Sequence, residues 1–232
     1  MTQVKYRGKA ALAVLVVAVA VLTGCIPMTA RQTDSPPVAG EVLRASSGVP
    51  LAAATVSAMP RDLAPGPHTV TDAMGRFELP ERDRRRVFLA MPGMALDRVP
   101  VRARHDADTL QGYGLAGKWL RQPAPAPQVE MVILMLPRVD TVSLSDTCQL
   151  EGIHAYAAQL LTALPSLQEA PWFRARFLDD REFALRWYQD LDWFAALARR
   201  ACGDAEAFAP LEAALDAFAS VVLASPDTVL VD

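Results

Sequence analysis

The sequence predicts an α+β chain in which an antiparallel β-sandwich is followed by a small α-helical bundle. Three observations carry that prediction. Over residues 38–137, short apolar runs alternate with turn residues such as Ser47-Gly48, Pro65-Gly66 and Met74-Gly75, at the spacing of sandwich strands. No amphipathic run of helical length interrupts them. Beyond Pro137 the apolar period lengthens from two to about 3.6, and four helix-length stretches follow.

Residues 1–24 read as an export signal. Lys5, Arg7 and Lys9 precede an apolar segment over 11–22, which falls short of the ~20 residues a spanning helix needs. Leu22-Thr23-Gly24-Cys25 closes the segment and resembles the lipobox of bacterial lipoproteins. That resemblance implies cleavage before Cys25, acylation of its thiol and a lipid bilayer as partner. At ~0.8 kcal/mol per buried methylene, the acyl chains hold without further membrane contact. In bacteria with two membranes, Asp after the cysteine resembles an inner-membrane retention signal. Ile26 stands there instead, so the expected address is the outer membrane, facing the periplasm. Residues 25–37, with paired prolines and no apolar period, are expected to form a flexible tether.

Composition narrows the function further. The formal charge is −3 and becomes about −6 once Lys5, Arg7 and Lys9 leave with the signal, which argues against a nucleic-acid partner. Of three cysteines, Cys25 is assigned to lipid, leaving Cys148 and Cys202 in an oxidising compartment. A disulfide between them is the economical expectation and is worth about 3–4 kcal/mol. Two buried thiols and an intermolecular pair are the alternatives.

Candidate strands are 38–44, 54–59, 68–71, 76–79, 87–91, 98–102 and 129–136. The last is nearly all apolar, as a strand covered on both faces is. Within this region Gly40-Glu41-Val42, Gly48-Val49-Pro50-Leu51, Ala54-Thr55-Val56 and Thr69-Val70-Thr71-Asp72-Ala73-Met74-Gly75-Arg76-Phe77-Glu78-Leu79 resemble the carboxypeptidase regulatory-like domain, a transthyretin-like β-sandwich. The resemblance is clear over 38–91 and weaker to Pro137. It implies a folding or docking module rather than a catalyst.

Histidine supply agrees with that expectation. A zinc peptidase needs a His-x-x-Glu pair and a distant histidine. Of His68, His105 and His154, only His105 has an acid three residues on, Asp108, and in a loop setting. No Gly-x-Ser-x-Gly elbow or HExxH is present. No metal or other cofactor is expected, and the chain is read as non-enzymatic.

Residues 103–128 depart from the family by their length. Their glycines, from Gly112 to Gly117, match the letters of a dinucleotide fingerprint, but no βαβ unit surrounds them. A flexible loop is expected, with Tyr113 and Trp119 as a candidate binding surface for a sugar ring or a partner's pocket. The plainer alternative has Trp119 capping one end of the sandwich.

In the helical region 138–232, Asp146 and Gln149 resemble a capping pair for a first helix that carries Ile153, Ala157, Leu160 and Leu164 and ends at Pro165. Pro171 opens a second helix with Phe173 and Phe177. The third has the stripe Phe183, Trp187, Leu191, Phe194 and Leu197, started by the charged cluster 179–182 and closed by Gly203. A fourth runs from Pro210 with Leu211, Leu215, Phe218 and Val222. The aromatic stripe is expected to be core, with Tyr188 and Trp193 off it, exposed or against the β-domain.

The expected function is a membrane-anchored, non-catalytic binding or scaffold component that engages an envelope protein or glycan. The alternatives are an envelope hydrolase whose site is assembled from distant residues, and an immunity lipoprotein.

Overall fold

The computed structural model describes residues 27–59, 66–89, 96–119, 124–178 and 180–223. Cys25, the expected acylation site, lies outside them. The architecture is α+β, with β-strands preceding a small helical bundle. Eleven strands form among the described residues: β1 Pro27–Ser35, β2 Val38–Arg44, β3 Thr55–Ala58, β4 His68–Val70, β5 Arg76–Leu79, β6 Arg82–Leu89, β7 Leu96–His105, β8 Leu110–Trp119, β9 Val129–Pro137, β10 Thr141–Ser145 and β11 Cys148–Glu151.

Seven strands make one sheet, in the order β4-β3-β7-β8-β9-β2-β5, where two facing sheets were expected. The sheet curls until its edges β4 and β5 approach each other, so one strand layer wraps the core. It is also not wholly antiparallel, since β2 pairs parallel with β9, Val38 opposite Val129 through Arg44 opposite Met135. β1–β6 and β10–β11 form separate two-stranded sheets.

Alternation fills the inside of the curled sheet with Val42, Val56, Phe77, Val101, Ile133 and their neighbours. On β9, Met131, Ile133 and Met135 face this interior, while Val132, Leu134 and Leu136 join the core shared with the helices. Both faces of that strand are therefore buried, which accounts for its unbroken apolar run.

The turn 72–75 is built from its own residues. Asp72 Oδ1 accepts from the N–H groups of Met74 and Arg76, both at 2.8 Å. Gly75 takes φ +72°, the left-handed region that favours glycine. Thr71 Oγ1 donates to Leu51 O at 2.6 Å and accepts from Ala54 N at 2.9 Å. One buried hydroxyl thus ties the 48–51 turn to the strand that follows it.

Two stretches read as irregular hold strands. Residues 27–35 form β1 rather than a tether, and half of 103–128 forms the end of β7 and all of β8 rather than a loop. On β8 small residues face the interior because β9 comes close. A Cβ at Gly112 would lie 2.6 Å from both Ile133 Cγ2 and Leu134 O.

The helices are α1 Gly152–Glu169, α2 Pro171–Phe173 continuing as a π-helical turn Arg174–Leu178, α3 Arg181–Ala201 and α4 Ala205–Leu223. Several expected boundaries move. Asp146 lies in the β10–β11 turn and Gln149 on β11, and α1 starts at Gly152 without a side-chain cap. Pro165 sits inside α1, which runs on until Ala170 turns extended before Pro171. Cys202 caps α3 with its own N–H, and α4 starts at Ala205, where Asp204 Oδ1 accepts from the N–H groups of Glu206 and Ala207. Pro171 opens its helix as expected, Phe173 and Phe177 stack at 4.5 Å, and Asp180 caps α3 by accepting from Phe183 N.

The aromatic stripe is core. Phe173, Phe177, Trp187 and Phe218 pack ring against ring, and Tyr188 and Trp193 lie half-buried against the same cluster. The Cys148–Cys202 disulfide joins β11 to the end of α3.

Candidate functional site

The helices cover β8, β9 and β2, and the contact is sealed by Tyr156 of α1. β8 and β9 pair only at Leu110 with Pro137 and Gln111 with Leu136. Beyond that point the Tyr156 phenol donates to Leu134 O at 2.9 Å, with the Tyr113 backbone beside it. Burial holds that phenol protonated far above its ordinary range. Tyr113 is itself only 6% exposed and packs on Tyr156 at 5.2 Å. It belongs to the junction of sheet and helices. Trp119 ends β8 opposite Leu96, and its side chain lies outside the described atoms. Tyr113 thus stands on a strand where a loop was expected.

What the helices leave uncovered is the outer face of β3 and of the 102–104 end of β7. Alternation turns Val99, Val101 and Ala103 inward and puts Arg98, Arg102 and Arg104 outside. Register sets Ser57 opposite Arg102 and Thr55 opposite Arg104. The three arginines have different surroundings. Arg98 reaches α3 and donates to Asp190 at 2.5 Å. Burial pushes the Asp190 carboxyl up to about 6, although the guanidinium pulls it down. Arg104 pairs with Asp108 at 3.2 Å, an acid that Arg138 also approaches at 3.8 Å. Arg102 has no acidic partner among the described residues, and its Nε is buried without an acceptor.

Arg102, Arg104, Thr55 and Ser57 line a groove of about 460 Å³, together with His105 and the turn 106–108. That size lies within the range of small-ligand sites. His105 Nδ1 is likewise buried without a partner. At the groove's end, Asp106, Ala107 and Asp108 all take left-handed φ values, 54°, 50° and 67°. Ala53, also in the lining, has φ 58°. Each such non-glycine residue costs about 1–2 kcal/mol. Hydrogen bonds from Thr109 N and Oγ1 to Asp106 offset part of this for the turn.

Two other hollows differ in kind. One of about 490 Å³ lies along β2, β5 and β9, lined by Phe77, Met131 and Phe183 and by the Arg176–Glu41 ion pair at 3.0 Å. Another, of about 310 Å³, is mostly apolar, between Leu110, Met135 and Leu136 on the sheet and Ala163 and Leu167 on α1. Among the described residues, neither lining holds a buried side-chain polar atom left without a partner. Among the described residues, too, no three His, Cys, Asp or Glu side chains converge as metal ligands. No helix among them is long and apolar enough to cross a membrane.

Compared with known proteins, the chain matches no family model, no curated protein and no solved structure. The site is therefore read from its own chemistry. Sequence reasoning missed Arg102 and Ser57, because only the register of β3 against β7 brings them together.

Proposed function

We propose that this chain is an exported, lipid-anchored binding module of the cell envelope. It is attached through acylated Cys25 to the outer membrane, faces the periplasm, and uses the groove at Arg102 to hold an anionic group of an envelope protein or glycan without turning it over. The observation that carries the binding role is the pair of orphaned buried atoms, Arg102 Nε and His105 Nδ1, on two residues that line one polar groove. An unsatisfied buried polar atom costs about 1–3 kcal/mol, and a ligand oxyanion at the guanidinium relieves that cost. Ser57 and Thr55 supply hydroxyl donors beside it.

The address is supported by the Leu22-Thr23-Gly24-Cys25 pattern and by a disulfide, which persists in oxidising compartments. Kinship with the carboxypeptidase regulatory-like domain is supported by its motif residues. Thr71, the 48–51 turn and the strand at Ala54 meet through one hydroxyl, and Gly75 has the conformation that the hairpin requires.

Two-dimensional NMR of the protein titrated with inorganic phosphate and with glucuronic acid tests the groove. Saturable shifts confined to Ser57, Arg102, His105 and the 106–108 turn are expected with at least one of them, and their loss in Arg102→Ala. The absence of any site-specific shift at tens of millimolar removes the reading. Incorporation of labelled palmitate, abolished by Cys25→Ser, tests the anchor separately.

A further inference from the structure

We propose that the β1–β6 ribbon is a membrane-contact surface whose partner is the anionic phospholipid of the leaflet to which Cys25 is tethered. This rests on the lipoprotein reading and goes beyond it, because acylation alone asks nothing of the folded chain.

The first argument is reach. β1 begins at Pro27, two residues after Cys25. At most ~3.6 Å per residue separates consecutive positions, so Pro27 lies within about 7 Å of the acylated residue. Antiparallel register places Leu89 opposite Pro27, so this end of the ribbon is at the lipid headgroups.

The second argument is the gradient of residue types along the ribbon. The first three rungs pair Pro27 with Leu89, Met28 with Phe88 and Thr29 with Val87. The next three pair Ala30 with Arg86, Arg31 with Arg85 and Gln32 with Arg84. At ~3.4 Å per rung the arginines begin about 10 Å from the tip. The headgroup layer of one leaflet is roughly 5–7 Å deep. With the ribbon standing along the membrane normal, the three apolar rungs span the depth of the interface, and the Ala30–Arg86 and Arg31–Arg85 rungs follow at its water side, within about a Debye length, ~8 Å, of the phosphates.

Charge is the third argument. The ribbon holds five arginines and two aspartates in a chain whose net charge is −3. Asp83 is matched by Arg31 at 3.0 Å and Asp34 by Arg84 at 2.8 Å, so the acids are already engaged. Arg85 is exposed. Among the described residues the ribbon also forms no ladder with the seven-stranded sheet, and a lone two-stranded ribbon is marginal in water. Its base is seated in protein, with Gln32, Thr33, Asp34 and Ser35 buried, and its outer end is supported by lipid.

The test uses the full chain, acylated, on vesicles of phosphatidylcholine with and without 30% phosphatidylglycerol. Hydrogen exchange of the amides of 28–31 and 84–89 is expected to slow about tenfold on the anionic vesicles and to recover in high salt. Equal exchange on both vesicles, with the protein still co-floating, overturns the proposal. Flotation of the unacylated Cys25→Ser chain separates ribbon from anchor. Binding to the anionic vesicles should weaken about 30-fold in Arg85→Gln/Arg86→Gln, at about fivefold per arginine. If wild-type Cys25 carries no lipid, the anchor reading fails. The ribbon is then upheld by charge-dependent binding of the unacylated chain and overturned by its absence.

Discussion

At Asp190, burial outweighs the neighbouring cation, and the consequence can be measured. The carboxyl ionises at about 6 in the fold and near 4 in the unfolded chain, so the folded state holds the extra proton between those values. The stability this contributes is complete below about pH 4 and is lost as pH rises through 6. An asparagine in its place would keep an acceptor for Arg98 without titrating. In urea unfolding, wild type should therefore lose stability relative to Asp190→Asn as the pH is raised from 4 to 7. A parallel pH dependence in both proteins would show that Asp190 ionises normally. Tyr156 offers a second single-atom experiment. Removing its hydroxyl in Tyr156→Phe leaves the buried Leu134 O without that donor. The expected destabilisation is about 1–3 kcal/mol, read from the denaturation midpoint at unchanged slope.

Among the elements, those with local rules were legible and those with distant partners were not. β2 and β5 fall where alternation and the Gly75 turn put them, and β9 announces its double burial by six consecutive buried residues. β8 hides because its inward positions, Gly112 and Gly114, are small to admit Met131, Ile133 and Met135 from β9, a requirement that no local pattern carries. β1 has the sequence of a tether because it buries polar residues. Their partners, Glu81 for Thr33 and Arg84 for Asp34, lie far along the chain. The start of α4 was readable in principle, since Asp204 followed by Glu206 is a helix-start signal. The candidate groove needed two strands in register and was not. Gly112→Ala tests the close approach of β8 and β9. With a methyl group aimed at Ile133 and Leu134 O, it should destabilise by about 1–3 kcal/mol in thermal unfolding, whereas a neutral result would mean the strands can separate freely.

On the scale of the whole molecule, the ties between the sheet and the helices include Tyr156, the Arg98–Asp190 pair, Arg176–Glu41 and the shared core. The disulfide constrains a loop of 54 residues of sequence separation, for which chain-entropy reasoning gives about 4 kcal/mol. Cys148→Ser/Cys202→Ser should show a loss of that order in guanidinium unfolding. A much smaller loss would mean that the reduced, unfolded chain already keeps these segments near each other. The parallel pairing of β2 with β9 also sets an order of events. β7 and β8 zip together through ten consecutive pairs as neighbours in the chain, whereas Val38 has to wait for Val129. Closing so long a loop precedes its reward, so the first strand of the sheet is among the last to be locked. Substitutions on the β7–β8 hairpin should then slow refolding, while those at the β2–β9 seam should mainly speed unfolding, giving the two sides of one sheet opposite kinetic signatures.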